Sequence, residues 1–390
     1  MKQIIRKSLG LVLACGMLTG LLSGCGSSED PIKEVMGYPG STVMFTVDGN
    51  DVTASDFFYW MCQNADQVAS LFTSTGSEID WTQTMGTETP LGDYVKDSAQ
   101  QTAILWSVVE AHAKEAGYEY TDDDKADFKE SLENAQEQLG GEDSFKDWLR
   151  SMCVTEESWE HIASVPYLNY HLLEGDYRLG GANGPTEEEL AQYAEDNDLL
   201  YAKHILLMTV DPLTREPLSA EEVAEKKAQA QDILDQLRAI EDPDKLAETF
   251  DKLMNENSED SGLEANPDGY IFSAGEMVEA FENGTRALEF GEISGLVETE
   301  YGYHIILRLD PVQSAQVQSD VGAEELSAQQ EAWVTDAVVE TTEEYDNLTT
   351  ADFYEKLTAY RETFQTTDDA EEPEDATLPE EGDGEGESAE

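Results

Sequence analysis

Two apolar segments bracket a run of helical patterns between residues 201 and 309, and this order is the strongest constraint on the fold. Tyr201–Val210 and His304–Leu309 have the composition of strands, and Leu296-Val297 indicates a shorter strand between them. Capping patterns mark where the intervening helices begin. These starts are Ser219–Glu222, Asp242-Pro243 and Ser273–Glu276. The order β-α-α-α-β-β predicts a small α+β domain over residues 198–312.

A mostly helical lobe is predicted on the N-terminal side of this domain, over residues 41–195. Val43, Phe45 and Val47 alternate with polar residues before a turn, which is typical of a strand. Apolar residues then recur at helical spacing through residue 178, and a break rich in glycine follows at residues 180–185. The lobe should therefore begin with a strand and continue as helices.

Residues 323–343 and 351–364 are also helical by pattern. The first of these segments places Leu326, Trp333 and Val334 on one apolar face, whose exposure to water would be unfavourable. We therefore expect C-terminal helices within residues 313–365 to return and pack on the N-terminal lobe. The predicted fold class is α+β, with the small domain inserted into a mostly helical, discontinuous lobe.

The N-terminus has the features of an export signal. Basic residues precede an apolar run that is too short to span a bilayer, and the run ends in Leu22-Ser23-Gly24-Cys25. This tetrapeptide resembles the lipobox of bacterial lipoproteins, in which the cysteine becomes acylated. We expect a signal peptide at residues 1–24, a lipid anchor on Cys25 and a flexible tether at residues 25–40. An ordinary signal peptide with a chance cysteine is the alternative.

Charge and cysteine content exclude several classes of protein. The chain has 85 acidic and 22 basic residues, a net charge of -63, so it would repel the phosphates to which nucleic-acid-binding proteins owe their affinity. Its 39% apolar residues suffice for a folded core. Residues 366–390 hold acids and no base, which predicts a disordered tail. Four cysteines are too few for a disulfide scaffold, although Cys62 and Cys153 could pair in an oxidising compartment.

Several short motifs resemble those of parvulin-type peptidyl-prolyl isomerases in order and spacing. They are Lys203-His204-Ile205-Leu206, Ser258-Glu259-Asp260, Phe272-Ser273-Ala274-Gly275-Glu276-Met277, Phe281, Gly291-Glu292-Ile293-Ser294 and Thr299-Glu300-Tyr301-Gly302-Tyr303-His304-Ile305-Ile306. With the lipobox and the helical flanks, the whole chain resembles foldase lipoproteins of the PrsA type, which are related to SurA-type periplasmic chaperones. Such proteins work at the extracytoplasmic face of the bacterial cell membrane.

The resemblance implies catalytic roles for five residues. His204 and His304 correspond to paired histidines that lie side by side in the core of the family's domain. Thr299 and Tyr301 occupy the positions beside that pair. Asp260 occupies the position of a cysteine or aspartate close to the substrate carbonyl.

The resemblance also implies an apolar pocket for the proline ring. Met277 and Phe281 correspond to its floor, and we expect them on one face of a helix because they are four residues apart. Phe272 belongs to the same motif. Where many relatives have Gly-Asp-Leu-Gly, this chain has Asp-Gly followed by Tyr270 and Ile271, so one of these two is expected to replace the missing leucine.

Prolyl isomerisation needs no nucleophile, metal or cofactor, and the sequence predicts none. The barrier of about 18–20 kcal/mol arises from amide resonance. Transition-state arithmetic shows that about 3–5 kcal/mol of stabilisation gives a turnover near ten per second. An apolar slot and polar groups that tolerate a twisted amide are sufficient for this task.

Two functions are compatible with this sequence. The first is an enzyme that isomerises X-Pro bonds in unfolded or newly exported polypeptides. The second is a non-catalytic holdase chaperone whose parvulin domain is inactive or only binds peptide. Phosphate-directed parvulins carry a basic cluster after the first strand, whereas only Arg215 is nearby here, so a preference for phosphoserine-proline is not expected.

The lipobox generates a first prediction. Cys25→Ala should leave the precursor unprocessed or release the protein from membranes, because it removes the acylated side chain. Membrane fractionation and the intact mass of the protein measure both effects. Cys15→Ala is the matched control and should change neither, since cleavage there would leave too short an apolar run. Membrane retention and an unchanged mature mass in Cys25→Ala would contradict the lipid anchor.

Overall fold

The computed structural model describes residues 30–74, 76–84, 86 and 88–365. The predicted signal peptide, Cys25 and the predicted acidic tail lie outside the described residues. Thirteen helices and seven strands are distributed over this part of the chain. Among the described residues, no helix combines the length and apolar character that crossing a membrane requires.

The strands are β1 Val43–Val47, β2 Asn50–Thr53, β3 Leu200–Met208, β4 Tyr270–Phe272, β5 Val297–Glu298, β6 Gly302–Leu309 and β7 Val339–Thr341. The helices are α1 Pro31–Met36, α2 Ala54–Thr73, α3 Leu91–Glu115, α4 Asp122–Gln138, α5 Glu142–Ser151, α6 Glu156–Asp176, α7 Glu187–Asp196, α8 Ala220–Arg238, α9 Pro243–Asn257, α10 Glu279–Arg286, α11 Ala315–Asp336, α12 Glu343–Asp346 and α13 Thr350–Gln365. A short 3₁₀ helix spans Pro311–Gln313.

The chain forms two compact units. The first combines the residues up to Tyr170 with those from Gln330 onward, and the second is His171–Gln329. The predicted boundaries at 195–198 and 312–313 differ from these, since they assign α7 and the N-terminal part of α11 to the helical lobe. The structure places α7 in the second unit, where Leu190 packs against Val317 and Val321 of α11.

The first unit contains a small antiparallel sheet in the order β2-β1-β7. The predicted helix over residues 323–343 is wrong at its C-terminal end, because α11 ends at Asp336 and β7 follows. Two hydrogen bonds of 2.9 Å join Asp48 to Val338, one through the Asp48 carboxylate and one through its backbone N–H. Branched side chains such as Val338 and Val339 favour a strand over a helix. The C-terminal segment thus completes the sheet that β1 begins.

The segment predicted as a tether includes a packed helix. Asp30 caps α1 through its side chain, and Pro31 occupies the first helical turn. Ile32 and Val35 are buried in the core of the first unit. The prediction of a flexible tether at residues 25–40 is therefore wrong for Pro31–Met36. Proline and charge indicated flexibility, but the buried pair of apolar side chains anchors the turn.

Aromatic side chains fill the core of the first unit. The ring of Phe45 on β1 lies 5.7 Å from Phe57 and 5.5 Å from Tyr345. Phe58 lies 4.8 Å from Phe353 on α13. These edge-on and tilted contacts join residues from both ends of the chain in one core.

Cys62 and Cys153, the possible disulfide pair, are free cysteines and fully buried. Burial raises the pKa of the Cys62 thiol well above its usual range, and the neighbouring Cys153 thiol acts in the same direction. Buried thiols in such surroundings behave as small apolar side chains with low reactivity.

The second unit contains an antiparallel four-stranded sheet in the order β4-β3-β6-β5. The predicted element order missed β4. It also began the last helix too early, because Ser273–Glu276 forms a turn in which the Glu276 carboxylate accepts a hydrogen bond from the Ser273 N–H. The helix α10 begins at Glu279 instead. Met277 therefore precedes the helix, and the expected shared helix face with Phe281 is wrong.

The two faces of this sheet have different neighbours. Ile205, Leu207 and Ile305 point to one face and pack against α8 and α9. The alternate residues of β3 and β6 point to the other face, where Phe272 and Phe281 cover part of the sheet. Polar side chains on this second face, among them His204 and His304, form a candidate site.

A bidentate ion pair ties α13 to α2 in the first unit and generates a second prediction. Arg361 donates to both oxygens of Asp66, at 2.7 and 2.8 Å, and to the carbonyl of Ser151. The two charged side chains are only 22% and 17% exposed. Arg361→Met should lower the free energy of unfolding by about 2–3 kcal/mol, because it leaves a half-buried carboxylate unpaired.

Urea unfolding followed by tryptophan fluorescence measures this change selectively, because all six tryptophans lie in the first unit. Lys356→Met on the same helix is the matched control. Its exposed partner Asp352 lies 2.8 Å away, and the expected change is below about 0.5 kcal/mol. Equal destabilisation by both variants would contradict a special role of the Arg361 ion pair.

Candidate active site

The register of β3 and β6 places two histidines on the same face of the sheet. His204 pairs with Ile306 and Leu206 pairs with His304, so the histidines are diagonal neighbours. Their Nδ1 atoms lie 3.1 Å apart, and their ring centroids are separated by 5.1 Å. His304 is only 4% exposed. The ladder therefore holds two imidazoles in direct contact in the core of the second unit.

The loop that follows α9 occupies the edge of β3 that β4 leaves open. The Leu206 N–H donates to the Ser258 hydroxyl, and its carbonyl accepts from the Glu259 N–H. The Glu259 carboxylate accepts from the Met208 N–H at 2.7 Å. These bonds satisfy backbone groups that would otherwise lack a partner, and they place Asp260 beside His204.

Three hydrogen bonds reach the Asp260 carboxylate. His204 Nε2 lies 2.9 Å from its Oδ2, the Tyr270 hydroxyl donates to the same oxygen at 2.6 Å, and the Gly262 N–H donates to Oδ1 at 3.0 Å. Partial burial opposes ionisation, but the three donors outweigh it and hold the pKa of Asp260 well below its usual range. Asp260 is thus an ionised hydrogen-bond acceptor.

An ionised Asp260 fixes the direction of a hydrogen-bond chain. His204 donates from Nε2 to this acceptor, and in the neutral ring its Nδ1 accepts from the Nδ1–H of a neutral His304. His304 Nε2 then accepts from the Thr299 hydroxyl at 2.8 Å, and Thr299 accepts from the Tyr301 N–H at 3.1 Å. We assign the tautomers from this network.

Burial keeps His304 neutral. Desolvation, followed by the proximity of His204, lowers the pKa of His304 to about 3, and the charge of Asp260 offsets this only in part. A neutral imidazole is what the chain of donors and acceptors requires at this position. The electrostatics and the hydrogen-bond geometry therefore agree.

A cavity of about 360 Å³ opens beside this chain. Its apolar wall is formed by Leu206, Met208, Met277, Val278 and Phe281. The Phe281 ring meets His204 and His304 edge-on, at centroid distances of 5.1 and 5.4 Å. Tyr270, Asp260, Tyr301 and both histidines also line the cavity.

Two of the predicted pocket residues lie outside this lining. Phe272 is buried behind Phe281, with ring centroids 5.8 Å apart, so it supports the wall from within. Ile271 points to the opposite face of its strand and packs in the cluster formed by Leu190 and Val317. Of the two candidates for the missing leucine, Tyr270 therefore occupies the cavity and Ile271 does not.

Three charged residues at the cavity have no role that their sequence pattern predicts. Arg215 lies over the Tyr301 ring at 5.2 Å from its centroid, and Glu259 and Glu276 contribute acidic groups. Glu259 is paired with Lys226. Glu259 and Glu276 belong to recognised motifs, so their positions were available as a signal. Arg215 lies in a loop whose path the sequence did not specify.

No group of three or more histidine, cysteine or acidic side chains within the described part of the chain has the arrangement of a metal site. The His204–Asp260 contact is a hydrogen-bonded pair with its remaining positions filled by Tyr270, Gly262 and His304. The geometry suits peptide binding and local electrostatic stabilisation.

Comparison with known proteins assigns the part of the chain that forms this site to a family. A family model for the PPIC-type peptidyl-prolyl isomerase domain matches residues 204–310. The chain is 31% identical over 129 residues to the peptidyl-prolyl cis-trans isomerase ESS1 of Saccharomyces cerevisiae, and the match covers 32% of this chain and 75% of that protein. The chain belongs to the PPIC-type peptidyl-prolyl isomerase family. The predicted family and the predicted α+β fold class are thereby confirmed.

The similarity to known proteins extends beyond the isomerase domain. Foldase protein PrsA of Halalkalibacterium halodurans is 31% identical over 215 residues, covering 53% of this chain and 57% of that protein. Foldase protein PrsA of Caldanaerobacter subterraneus is 25% identical over 308 residues, covering 77% of this chain and 82% of that protein. The match to the first of these relatives thus spans little more than half of that protein's length.

A solved structure is similar over a longer stretch. PrsA from Bacillus subtilis is 18% identical, with 86% of this chain and 96% of that chain covered, at a TM-score of 0.28. The family assignment rests on the sequence matches.

The buried histidine of the isomerase domain generates a third prediction. His304 titrates near its ordinary pKa of 6.5 in the unfolded chain and near 3 in the folded one. As pH falls below about 6.5, only the unfolded chain binds the proton. The free energy of unfolding of the isomerase domain should therefore fall by up to about 1.4 kcal/mol per pH unit until pH 3 is approached, and the contribution of His304 should stay level above pH 7.

Urea titrations at pH 7.5 and 5.0, followed through the NMR amide signals of β6, measure this dependence. His304→Gln keeps a neutral donor and removes the titration, so its loss of stability between the two pH values should be smaller. Asp260 does not mask the effect, because its lowered pKa affects stability only below about pH 4. An identical pH dependence in wild type and His304→Gln would contradict a neutral, buried His304.

Proposed function

We propose that this chain catalyses cis-trans isomerisation of X-Pro bonds in unfolded polypeptides. The observation that carries the proposal is the continuous hydrogen-bond chain from Thr299 through both histidines to an ionised Asp260, on the wall of an apolar cavity. Membership of the PPIC-type family and similarity to proteins named foldase support it.

The arrangement suits a reaction that only twists an amide. In a planar X-Pro bond, resonance places partial negative charge on the carbonyl oxygen and partial positive charge on nitrogen, and a twisted bond loses this separation. A fixed carboxylate close to the carbonyl oxygen disfavours the planar form relative to the twisted one. Asp260 would supply that charge, and the histidine pair would hold it in place.

The apolar wall would bind the proline ring. Met277 and Phe281 line the cavity beside Val278, so the ring would lie against side chains that exclude water. Binding the ring fixes one side of the amide, and the preceding residue can then rotate. The cavity contains no group that must form a covalent bond.

The charges around the cavity disfavour an acidic substrate. Arg215 is the cation among the lining residues, against Glu259, Glu276 and Asp260. A phosphate or glutamate before the proline would therefore meet an excess of negative charge. We infer that substrates with neutral or basic residues at this position are isomerised at least as fast.

We further propose that the protein acts outside the cytoplasm, anchored by lipid on Cys25, on newly exported polypeptides. The lipobox-like Leu22-Ser23-Gly24-Cys25 supports this, as does similarity to foldases of the PrsA type.

We also propose that the C-terminal helices and the N-terminal lobe form one discontinuous domain, supported by the Arg361–Asp66 ion pair.

A second function, holding unfolded chains without catalysis, is favoured by a separate observation. A cleft in the first unit is lined by Trp60, Trp106, Ile162 and Val165, and also by His161 with its carboxylate partners Asp56 and Glu110. Aromatic and aliphatic side chains at a surface cleft can contact apolar segments of a client. The lobe would then provide binding, whether or not the isomerase domain is active.

A fourth prediction separates these functions. In a protease-coupled assay on a short Ala-Pro peptide, the wild-type protein should accelerate isomerisation. Asp260→Ala and Met277→Ala should each lower kcat/KM at least about tenfold, equivalent to about 1.4 kcal/mol of transition-state stabilisation. Circular dichroism checks that each variant stays folded.

Asp235→Ala, on the exposed face of α8, is the matched control and should retain the wild-type rate. Replacing the residue before proline by phosphoserine or glutamate should give no gain at any salt concentration. A wild-type rate equal to that of buffer would leave only the holdase function. Wild-type turnover in an Asp260→Ala, Met277→Ala double variant would overturn the assignment of the site.

A further inference from the structure

Tyr270 reaches into the hydrogen-bond chain from a neighbouring strand. Its backbone belongs to β4, which pairs with the first residues of β3. Its hydroxyl donates to Asp260 Oδ2 at 2.6 Å, the oxygen that also receives His204 Nε2. Its ring meets the His204 ring edge-on, with centroids 5.5 Å apart. Tyr270 thus contacts both partners of the His204–Asp260 pair.

The loop at Asp260 is shaped to admit this hydroxyl. A Cβ atom on Gly262 would lie 2.3 Å from the Tyr270 oxygen, so any side chain there would displace it. The same Gly262 donates its N–H to the other oxygen of Asp260 at 3.0 Å. The glycine therefore serves two purposes, since it binds the carboxylate and leaves space for the tyrosine.

The groups that face Asp260 come from several elements. His204 on β3 and Tyr270 on β4 are the titratable side chains bonded to it, and Gly262 of its own loop donates a backbone N–H. His304, Tyr301, Arg215, Glu259 and Glu276 line the same cavity. Burial raises the pKa of the Tyr270 hydroxyl, and the negative charge of Asp260 acts in the same direction. The hydroxyl therefore stays protonated, and remains a donor, at neutral pH.

We propose that Tyr270 is a positioning residue for isomerisation, whose hydroxyl holds the Asp260 carboxylate against His204 and at the cavity wall. Tyr270 contributes to isomerisation through its hydroxyl group. Its ring is not the apolar surface against which the proline packs. This inference rests on the proposed function, and it gives a polar role in the reaction to a residue whose sequence position predicts only an apolar one.

Tyr270→Phe tests the inference because it keeps the ring and removes one oxygen. Tyr201→Phe is a matched control in the same sheet, since the Tyr201 hydroxyl donates to the backbone carbonyl of Asp268 at 2.6 Å and not to Asp260. The first readout is an NMR titration of the Asp260 carboxyl, which needs no activity. The midpoint should rise by about one pH unit in Tyr270→Phe and remain unchanged in Tyr201→Phe. An unchanged midpoint in Tyr270→Phe would overturn the inference.

The second readout is the kinetics of peptide isomerisation. Tyr270→Phe should lower kcat about fivefold to tenfold with less than a twofold change in KM, whereas Tyr201→Phe should match wild type. In an Asp260→Ala background, Tyr270→Phe should change kcat/KM by less than twofold, because the hydroxyl acts through the carboxylate. An equal loss in both backgrounds, or a loss confined to KM, would overturn the positioning role.

The two readouts distinguish the failure of this inference from that of the proposed function. A wild-type protein without isomerase activity would refute the function, and the titration would still decide whether Tyr270 holds Asp260. An active wild type with an unaffected Tyr270→Phe variant would refute the role of Tyr270 alone.

Discussion

The pairing of β3 with β6 is the constraint on which the isomerase domain depends. Eight residue pairs in unbroken register, from Tyr201↔Leu309 to Met208↔Gly302, decide which side chains share a face. A slip of one residue would reverse the faces of one strand, so that its histidine would point toward α8 and α9 and its core aliphatic side chains toward the cavity. Gly302 allows the close approach at the end of this ladder, because a Cβ there would lie 2.1 Å from the carbonyl oxygen of Leu207. The ladder thus builds the core and the site at once.

Two histidines of this chain show how partners, and not burial alone, determine protonation. His304 is surrounded by an imidazole and a hydroxyl, so desolvation dominates and its pKa falls to about 3. His161 in the first unit contacts the carboxylates of Asp56 and Glu110, and hydrogen bonds to both raise its pKa to about 10 despite partial burial. Histidine is therefore a neutral member of a hydrogen-bond chain in the isomerase domain and a cation in the helical lobe.

Much of the site could be predicted from the sequence because its functional side chains lie within short motifs. The histidines lie on strands that their apolar neighbours identify, and Asp260 follows a polar segment that binds the open strand edge. The role of Tyr270 could not be predicted, because it depends on the space that Gly262 leaves and on the three-residue strand β4. Such short strands have too few residues for a periodic signal. The same limit applies to β7, whose pairing partner lies near the other end of the chain.

The contribution of β7 to the first sheet affects the order in which this protein can fold. The bond from the Thr342 hydroxyl to the Val43 carbonyl joins residues 299 positions apart, whereas the histidine contact in the isomerase domain joins residues 100 positions apart. When the chain emerges with its N-terminus first, the second unit can fold before the first unit has all its strands. Until Thr341 arrives, one edge of β1 is unpaired and open to association with other chains. A chain truncated before that residue would keep this edge permanently exposed, even though its isomerase domain would be complete.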